Sequence, residues 1–274
     1  VIDTYGQVNL KRSRVSVSDN PFARHSPFLL GAFRLYLHWY FWRAFHRVRL
    51  SCTGVPALHA GRPLIVYTNH PSWWDPALLL LALPKLFPGR LAFGPMERHA
   101  LGRYRLFERM GIFGIDPGTS HGARAFLRVA DIGLAKPNAL LCITAEGAFT
   151  DARVRPVRLR SGLAHLARRA PHAVFLPLAL EYGFWNESRP EAMLRFGNPV
   201  DVSGNASDVQ VRLEQALEQT MDALALESIT RDASLFQPLL RGTAGVGGIY
   251  DVYRRTSALA RGRWFDARHE PEPR

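Results

Sequence analysis

The sequence predicts an α/β fold, a largely parallel sheet flanked by helices, with a further helical segment at the N-terminal end. Short apolar runs recur after Pro63, and stretches with helical apolar spacing separate them, which is the alternation expected of strand–helix–strand units. With 274 residues, 47% of them hydrophobic and 11% aromatic, the chain can bury one large core or two small ones.

Residues 1–26 are polar, resemble no signal peptide and read as a loose arm. The stretch PFLLGAFRLYLHWYFWRAFHRVRL, 27–50, is apolar from Phe28 to Trp42 except at Arg34 and His38, and it ends in basic residues. It is shorter than the ~20 apolar residues a spanning helix needs. Its aromatic density and basic end fit a helical segment lying in a membrane interface, and a helix packed on the domain accounts for the apolar residues as well. Strands are expected at 64–68, 91–95, 112–115, 139–144, 173–180 and 192–197, and helices at 76–86, 98–110, 120–134, 161–170 and 208–227. In the last helix Ser207 and Gln210 read as a capping box, and Val209, Leu213, Ala216, Leu217, Met221 and Leu224 as the buried face. A basic amphipathic pattern over 249–265 sets Ile249, Tyr253, Thr256 and Ala260 opposite Arg254, Arg255 and Arg261, and residues 266–274 read as a frayed tail. The expected division is an arm and membrane-associating helix at 1–50, a main domain at 51–230 and an amphipathic tail segment at 231–274.

Composition excludes several classes. The net charge of +12 is nearly all arginine and is spread along the chain, so it does not point to nucleic acid. Cys52 and Cys142 make no disulfide framework, and no metal-ligand spacing is present.

The chemistry is expected at strand ends. Asn69-His70 follows LIVYT, and Asp75 precedes Pro76 and an apolar run. Asp75 reads as the N-cap of a helix; it also lies where a carboxylate can turn back to the His70 ring and make it a base for a hydroxyl. Glu146-Gly147 closes ALLCITAEG, either as a solvated turn or as part of a site. In a parallel sheet His70, Asp116 and Glu146 share the carboxyl edge, where open α/β sheets bind ligands. A rival nucleophile is Ser120, in a G-x-S-x-G stretch between strand and helix, although the downstream histidines that the required Asp-then-His order would use are poorly placed, His165 and His172 on or beside a helix and His269 in the tail. The glycine-rich GTAGVGG, 242–248, lacks the Lys-Ser/Thr of a phosphate loop and reads as a turn. His25, His38, His46, His59, His99 and His121 have no spaced partners.

Together these residues resemble the glycerolipid acyltransferase family, its 1-acylglycerol-3-phosphate acyltransferase-like group. The N-H-x-x-x-x-D motif is present as Asn69-His70 to Asp75. G-x-I-F-I-D-R is matched by Gly111 to Pro117, F-P-E-G-T-R weakly by Thr144 to Phe149, and the apolar strand with a proline by Val174 to Leu178 around Pro177. The motifs come in the family's order and span about residues 50–200. The resemblance implies that His70 takes the acceptor's proton and Asp75 orients His70, while the hydroxyl attacks the thioester of acyl-CoA or acyl-carrier protein. It implies that Glu146 and Gly147 bind the acceptor, that Pro177 lies in the acyl pocket or sheet, and that no metal or other cofactor takes part. It also implies partnership with membrane lipids, at the cytoplasmic face. Two departures stand out: Pro117 and Ala148-Phe149 replace the family's arginines, which are associated with the acceptor's phosphate. Arg124, Arg153, Arg155, Arg158 and Arg160 are the nearby substitutes. The default acceptor is therefore lysophosphatidic acid-like, with a glycolipid or hydroxylated terpenoid as the alternative. A Ser120 esterase and a degenerate membrane-binding protein are the readings from other classes.

Overall fold

The structure is a computed structural model and describes residues 20–58, 61–245, 253, 256–262 and 264. In chain order the elements are α1 (Pro27–Ala44), β1 (Arg47–Ser51), β2 (Leu64–Thr68), α2 (Asp75–Leu86), β3 (Leu91–Glu97), α3 (Arg98–Arg103), a 3₁₀ turn (Arg105–Met110) and β4 (Ile112–Ile115). There follow α4 (Ser120–Leu134), β5 (Ala139–Thr144), α5 (Gly162–Arg169), β6 (Val174–Gly183), β7 (Glu191–Phe196), α6 (Ala206–Thr230) and β8 (Phe236–Arg241). The eight strands form one sheet in the order β4-β3-β5-β2-β6-β7-β1-β8. β2 pairs in parallel with β5 and β6, and β3 with β4 and β5, while only β7 and β1 run against the rest. The predicted α/β class and mostly parallel sheet are thus what the chain forms.

The centre of the sheet is buried on both faces, which is why LIVYT is apolar throughout rather than alternating. Along β2, Ile65 and Tyr67 face a core shared with α4, α5 and α6, and Leu64 and Val66 face a second core shared with α1 and α2. The polar connections after β2 and β5 consequently emerge side by side at the carboxyl edge, because the two strands are paired in register from Leu64–Leu140 to Thr68–Thr144.

Several expectations are corrected. Residues 47–51 are not the end of a helix but β1, and Phe236–Arg241, not foreseen, form β8 beside it. The sheet thus takes strands from either side of the expected 51–230 bounds. Arg49 disguised β1 as a basic helix end; it is buried in an ion pair with Glu191. Pro238 disguised β8, and it fits because β8 is an edge strand whose register shifts near Arg49. The helix expected at 98–110 breaks at Tyr104 into α3 and the 3₁₀ turn, which Gly111 ends at φ +87. The cap of α6 is Asn205, not Ser207: its side chain accepts from the Asp208 N–H and donates to the Asp208 carboxylate, while Ser207 is already helical. The buried face of α6 is as expected, with Ala216 only half buried. Of the expected 249–265 segment, Ile249, Val252, Arg254 and Arg255 lie outside the described residues, as do 1–19 and the tail at 266–274. No helix among the described residues is long and apolar enough to cross a membrane.

Candidate active site

The site is built where the turns after β2 and β5 interlock. Asn69 extends β2 by side-chain mimicry of a backbone pair: its amide donates to the Leu180 carbonyl (2.9 Å) and its oxygen accepts from the Leu180 N–H (2.8 Å). That anchors the turn to β6 and sets the next residue, His70, beyond the strand. The His70 N–H donates to Glu146 Oε2 (2.6 Å), its carbonyl accepts from the Thr150 N–H (3.0 Å), and the Thr68 carbonyl accepts from the Ala145 N–H (3.0 Å). The two turns are therefore stitched to each other as well as to their strands.

The His70 ring meets Asp75 with Nδ1 to Oδ2 at 2.7 Å. Asp75 was expected as an N-cap, but it is the first residue of α2 and its carboxylate caps no helical N–H. Its side chain is wholly buried and fully engaged: Oδ2 also accepts from the Ser72 N–H (3.1 Å), and Oδ1 accepts from the Tyr182 hydroxyl (2.7 Å). A buried carboxylate that accepts this many bonds is compatible with burial only as part of such a network, and its place at the start of α2 adds the favourable end of the helix dipole. With Nδ1–H donating to Asp75, the lone pair of His70 lies on Nε2, which is the atom able to take a proton. The His70 side chain is 15% exposed, enough for a ligand to reach it.

Glu146 is half buried, and burial raises its carboxyl above the ordinary value against the opposing pull of the His70 N–H. Arg155 also attracts it, although that guanidinium is bound to Asp222 at 2.6 and 2.9 Å. Gly147 takes φ +71, and a Cβ there would lie 2.9 Å from Arg160 Cγ and Nε, so the stem of Arg160 packs over the turn. Of the arginines considered as substitutes, Arg153 is paired to Asp151 (2.7 Å) and Arg158 to Glu214 (3.6 Å). Arg160 stands beside Glu146-Gly147 with no carboxylate partner among the described residues; Arg124 is exposed on α4. Phe149 lies over the imidazole, its ring 4.4 Å from the His70 ring.

The structure also places the three remaining candidates. Asp116 does not join His70: β4 is three strands from β2, about 14 Å at ordinary strand spacing, and Asp116 is bound to Arg98 at 3.0 Å. Pro177 lies in the sheet, buried in β6 opposite Tyr67, with its carbonyl accepting from the Gly197 N–H at 3.0 Å. Ser120 has the strand–turn–helix setting but none of the chemistry. It is exposed at the start of α4, takes no strained backbone, and bonds no histidine among the described residues; Gly122 is explained by its close approach to the Asp116 carbonyl. The residue that sequence reading missed is Tyr182. Its strand was foreseen only to residue 180, and nothing local marks its hydroxyl as aimed at Asp75.

A cavity of 390 Å³ opens elsewhere, lined by Leu58, Arg62, Val174, Val200 and Asp201. Arg62 spends its donors there on the carbonyls of Pro171, His172 and Ala173, and the cavity holds no acid–base pair.

Residues 49–181 match the family model described as Acyltransferase, a span that contains His70, Asp75, Glu146, Gly147 and Pro177. The fold is similar to that of the crystal structure of the 1-acyl-sn-glycerophosphate (LPA) acyltransferase, PlsC, from Thermotoga maritima. The TM-score is 0.52 at 17% identity, over 74% of this chain and 81% of that one. No curated protein sequence matches. Residues 49–181 thus form an acyltransferase domain, and the protein is an acyltransferase by class.

Proposed function

We propose that the protein transfers a fatty acyl group from acyl-CoA or acyl-carrier protein to the hydroxyl of a lipid at a membrane surface. One observation carries the reading: a His70–Asp75 pair at the carboxyl edge of the sheet, with Nε2 left to act. Nε2 takes the proton of the acceptor hydroxyl as its oxygen bonds to the thioester carbonyl carbon. The tetrahedral intermediate then collapses, the carbon–sulfur bond breaks, and the departing thiolate takes the proton back from the imidazolium. Asp75 fixes the tautomer and stabilises the imidazolium. His70, Asp75, Glu146 and Gly147 supply this chemistry without a covalent acyl-enzyme, and they need no metal or bound cofactor.

A lysophosphatidic acid-like acceptor is the default, supported by the similarity of the fold to a solved 1-acyl-sn-glycerophosphate acyltransferase. Phe149 favours the alternative, a less charged hydroxyl lipid such as a glycolipid or hydroxylated terpenoid, because it puts apolar surface over His70 where a guanidinium would grip a phosphate. Arg160, beside Gly147, is the arginine best placed to receive an anionic headgroup.

Membrane contact is assigned to α1, with the cytoplasmic leaflet as its partner, since acyl-CoA and acyl-carrier protein are met there. Phe28, Leu35, Trp39 and Trp42 form an exposed stripe along α1, opposite the Leu37 and Phe41 that it buries. α1 packs on Trp74, the neighbour of Asp75, through Tyr40 and Phe41 at 5.2 Å, and Trp73 beside it is 68% exposed. Apolar surface thus leads from the helix to the mouth of the site. The test is acyl-donor consumption with a panel of lipid acceptors. Wild type and Ser120→Ala should turn over alike and His70→Ala should not. Activity lost in Ser120→Ala but kept in His70→Ala would establish the esterase instead.

A further inference from the structure

We infer that Tyr182 is a positioning residue for acyl transfer: its hydroxyl holds one oxygen of Asp75 so that the other fixes the His70 ring. The inference rests on the reading of His70 as the base.

The two oxygens of Asp75 have separate duties. Oδ1 receives the Tyr182 hydroxyl at 2.7 Å, and Oδ2 receives His70 Nδ1–H at 2.7 Å with the Ser72 N–H at 3.1 Å. A carboxylate held only on the Oδ2 side can swing about its Cβ–Cγ bond, and the imidazole would swing with it. Tyr182 blocks that rotation from β6, an element whose backbone is already tied to the His70 turn through Asn69 and Leu180. Tyr182 lies one residue past the segment that matches the family model. Its phenol stays protonated, since burial and then the Asp75 charge raise it well above its ordinary value, so it serves as a donor throughout.

The bond should also tune the base. A hydroxyl donating to Oδ1 draws negative charge away from Oδ2. Without it Oδ2 holds the imidazolium more strongly, and His70 gives up its proton less readily. The other titratable groups facing the pair do not supply a substitute. The Cys142 thiol from β5 is pushed up to about 12 by burial and the Asp75 charge, and Glu146 is engaged by the His70 N–H and drawn by Arg155.

The experiment compares Tyr182→Phe with wild type as full chains. Loss of one bond to a charged group predicts a fall in kcat of roughly ten- to a hundredfold with KM for donor and acceptor little changed. The acid limb of the pH–rate profile should move to higher pH. In His70→Ala the same substitution should bring no further loss. Independently of any acceptor, the His70 Nδ1–H proton resonance should shift in Tyr182→Phe. Unchanged kcat and an unchanged acid limb would overturn the inference. So would a fall in kcat with the profile and the Nδ1–H resonance both unmoved, because that is a structural loss only. If His70→Ala itself keeps near-normal turnover, the general-base reading fails first and Tyr182 loses its role with it.

Discussion

Phe149 lies with its ring 4.4 Å from that of His70, tilted by 36°, while remaining 63% exposed. It covers the His70 ring without being packed away. On the proposed mechanism, an exposed aromatic in contact with His70 meets the substrate, and its apolar face selects against charge beside the reacting hydroxyl. Phe149→Arg should raise the preference for lysophosphatidic acid over a neutral hydroxyl lipid by about tenfold or more, the scale of one charge-assisted bond. Competition between the two acceptors at equal concentration reads it. If wild type already prefers lysophosphatidic acid tenfold and Arg160→Ala removes that preference, the anion is recognised from Arg160 and the neutral-acceptor reading is wrong.

His70→Ala should lower kcat by ~10²–10⁴ while leaving the circular dichroism spectrum unchanged, since the ring lies at the edge of the core. Near-normal turnover in the folded variant removes the mechanism.

Asp75→Asn should impair turnover and also stability. The buried carboxylate accepts from His70, Ser72 and Tyr182. An amide nitrogen must face one of those donors, at a cost of about 1–3 kcal/mol for an unsatisfied buried group. A melting temperature equal to that of wild type would mean that the network contributes little.

Glu146 gives a pH test. Burial raises its folded pKa above the ordinary value of 4.5, so the folded chain binds this proton more tightly than the unfolded chain. The resulting stabilisation is present below the ordinary value and is lost as pH rises through the raised folded value. Glu146→Gln keeps an oxygen for the His70 N–H but does not titrate. The stability of wild type relative to Glu146→Gln should therefore fall as pH is raised from 4.5, measured by denaturant midpoints. A difference that is constant or grows with pH contradicts the burial effect.

Membrane contact through α1 predicts that Leu35→Glu with Trp39→Glu leaves the fold intact, because both side chains are exposed, yet abolishes sedimentation with liposomes. Each such apolar side chain contributes about 2 kcal/mol when fully buried. Equal binding by the double variant would move the contact elsewhere.

The centre of the sheet was legible because burial on both faces leaves an apolar run with few other uses; β2, β4 and β5 fall at their expected bounds. His70 and Glu146 were legible because a polar residue soon after such a run emerges at the carboxyl edge. β1 and β8 were not, because their charge and proline are accommodated by tertiary partners, Glu191 and the irregular edge pairing. Asp75 was legible both as a carboxylate partner for His70 and, from the proline after it, as a cap; the three donors that converge on it are not visible in sequence. Tyr182 was missed since it is 107 residues from Asp75 and meets it only through the β2–β6 pairing.

The His70 N–H and the Glu146 carboxylate that receives it are 76 residues apart in the chain. They meet only when β2 and β5 dock in register, with β3, β4 and α4 looped out between them. Loop closure over that separation is costly, so the contact is expected to close late in folding. Enzymatic recovery during refolding should then lag the return of helical signal and coincide with completion of the central strands.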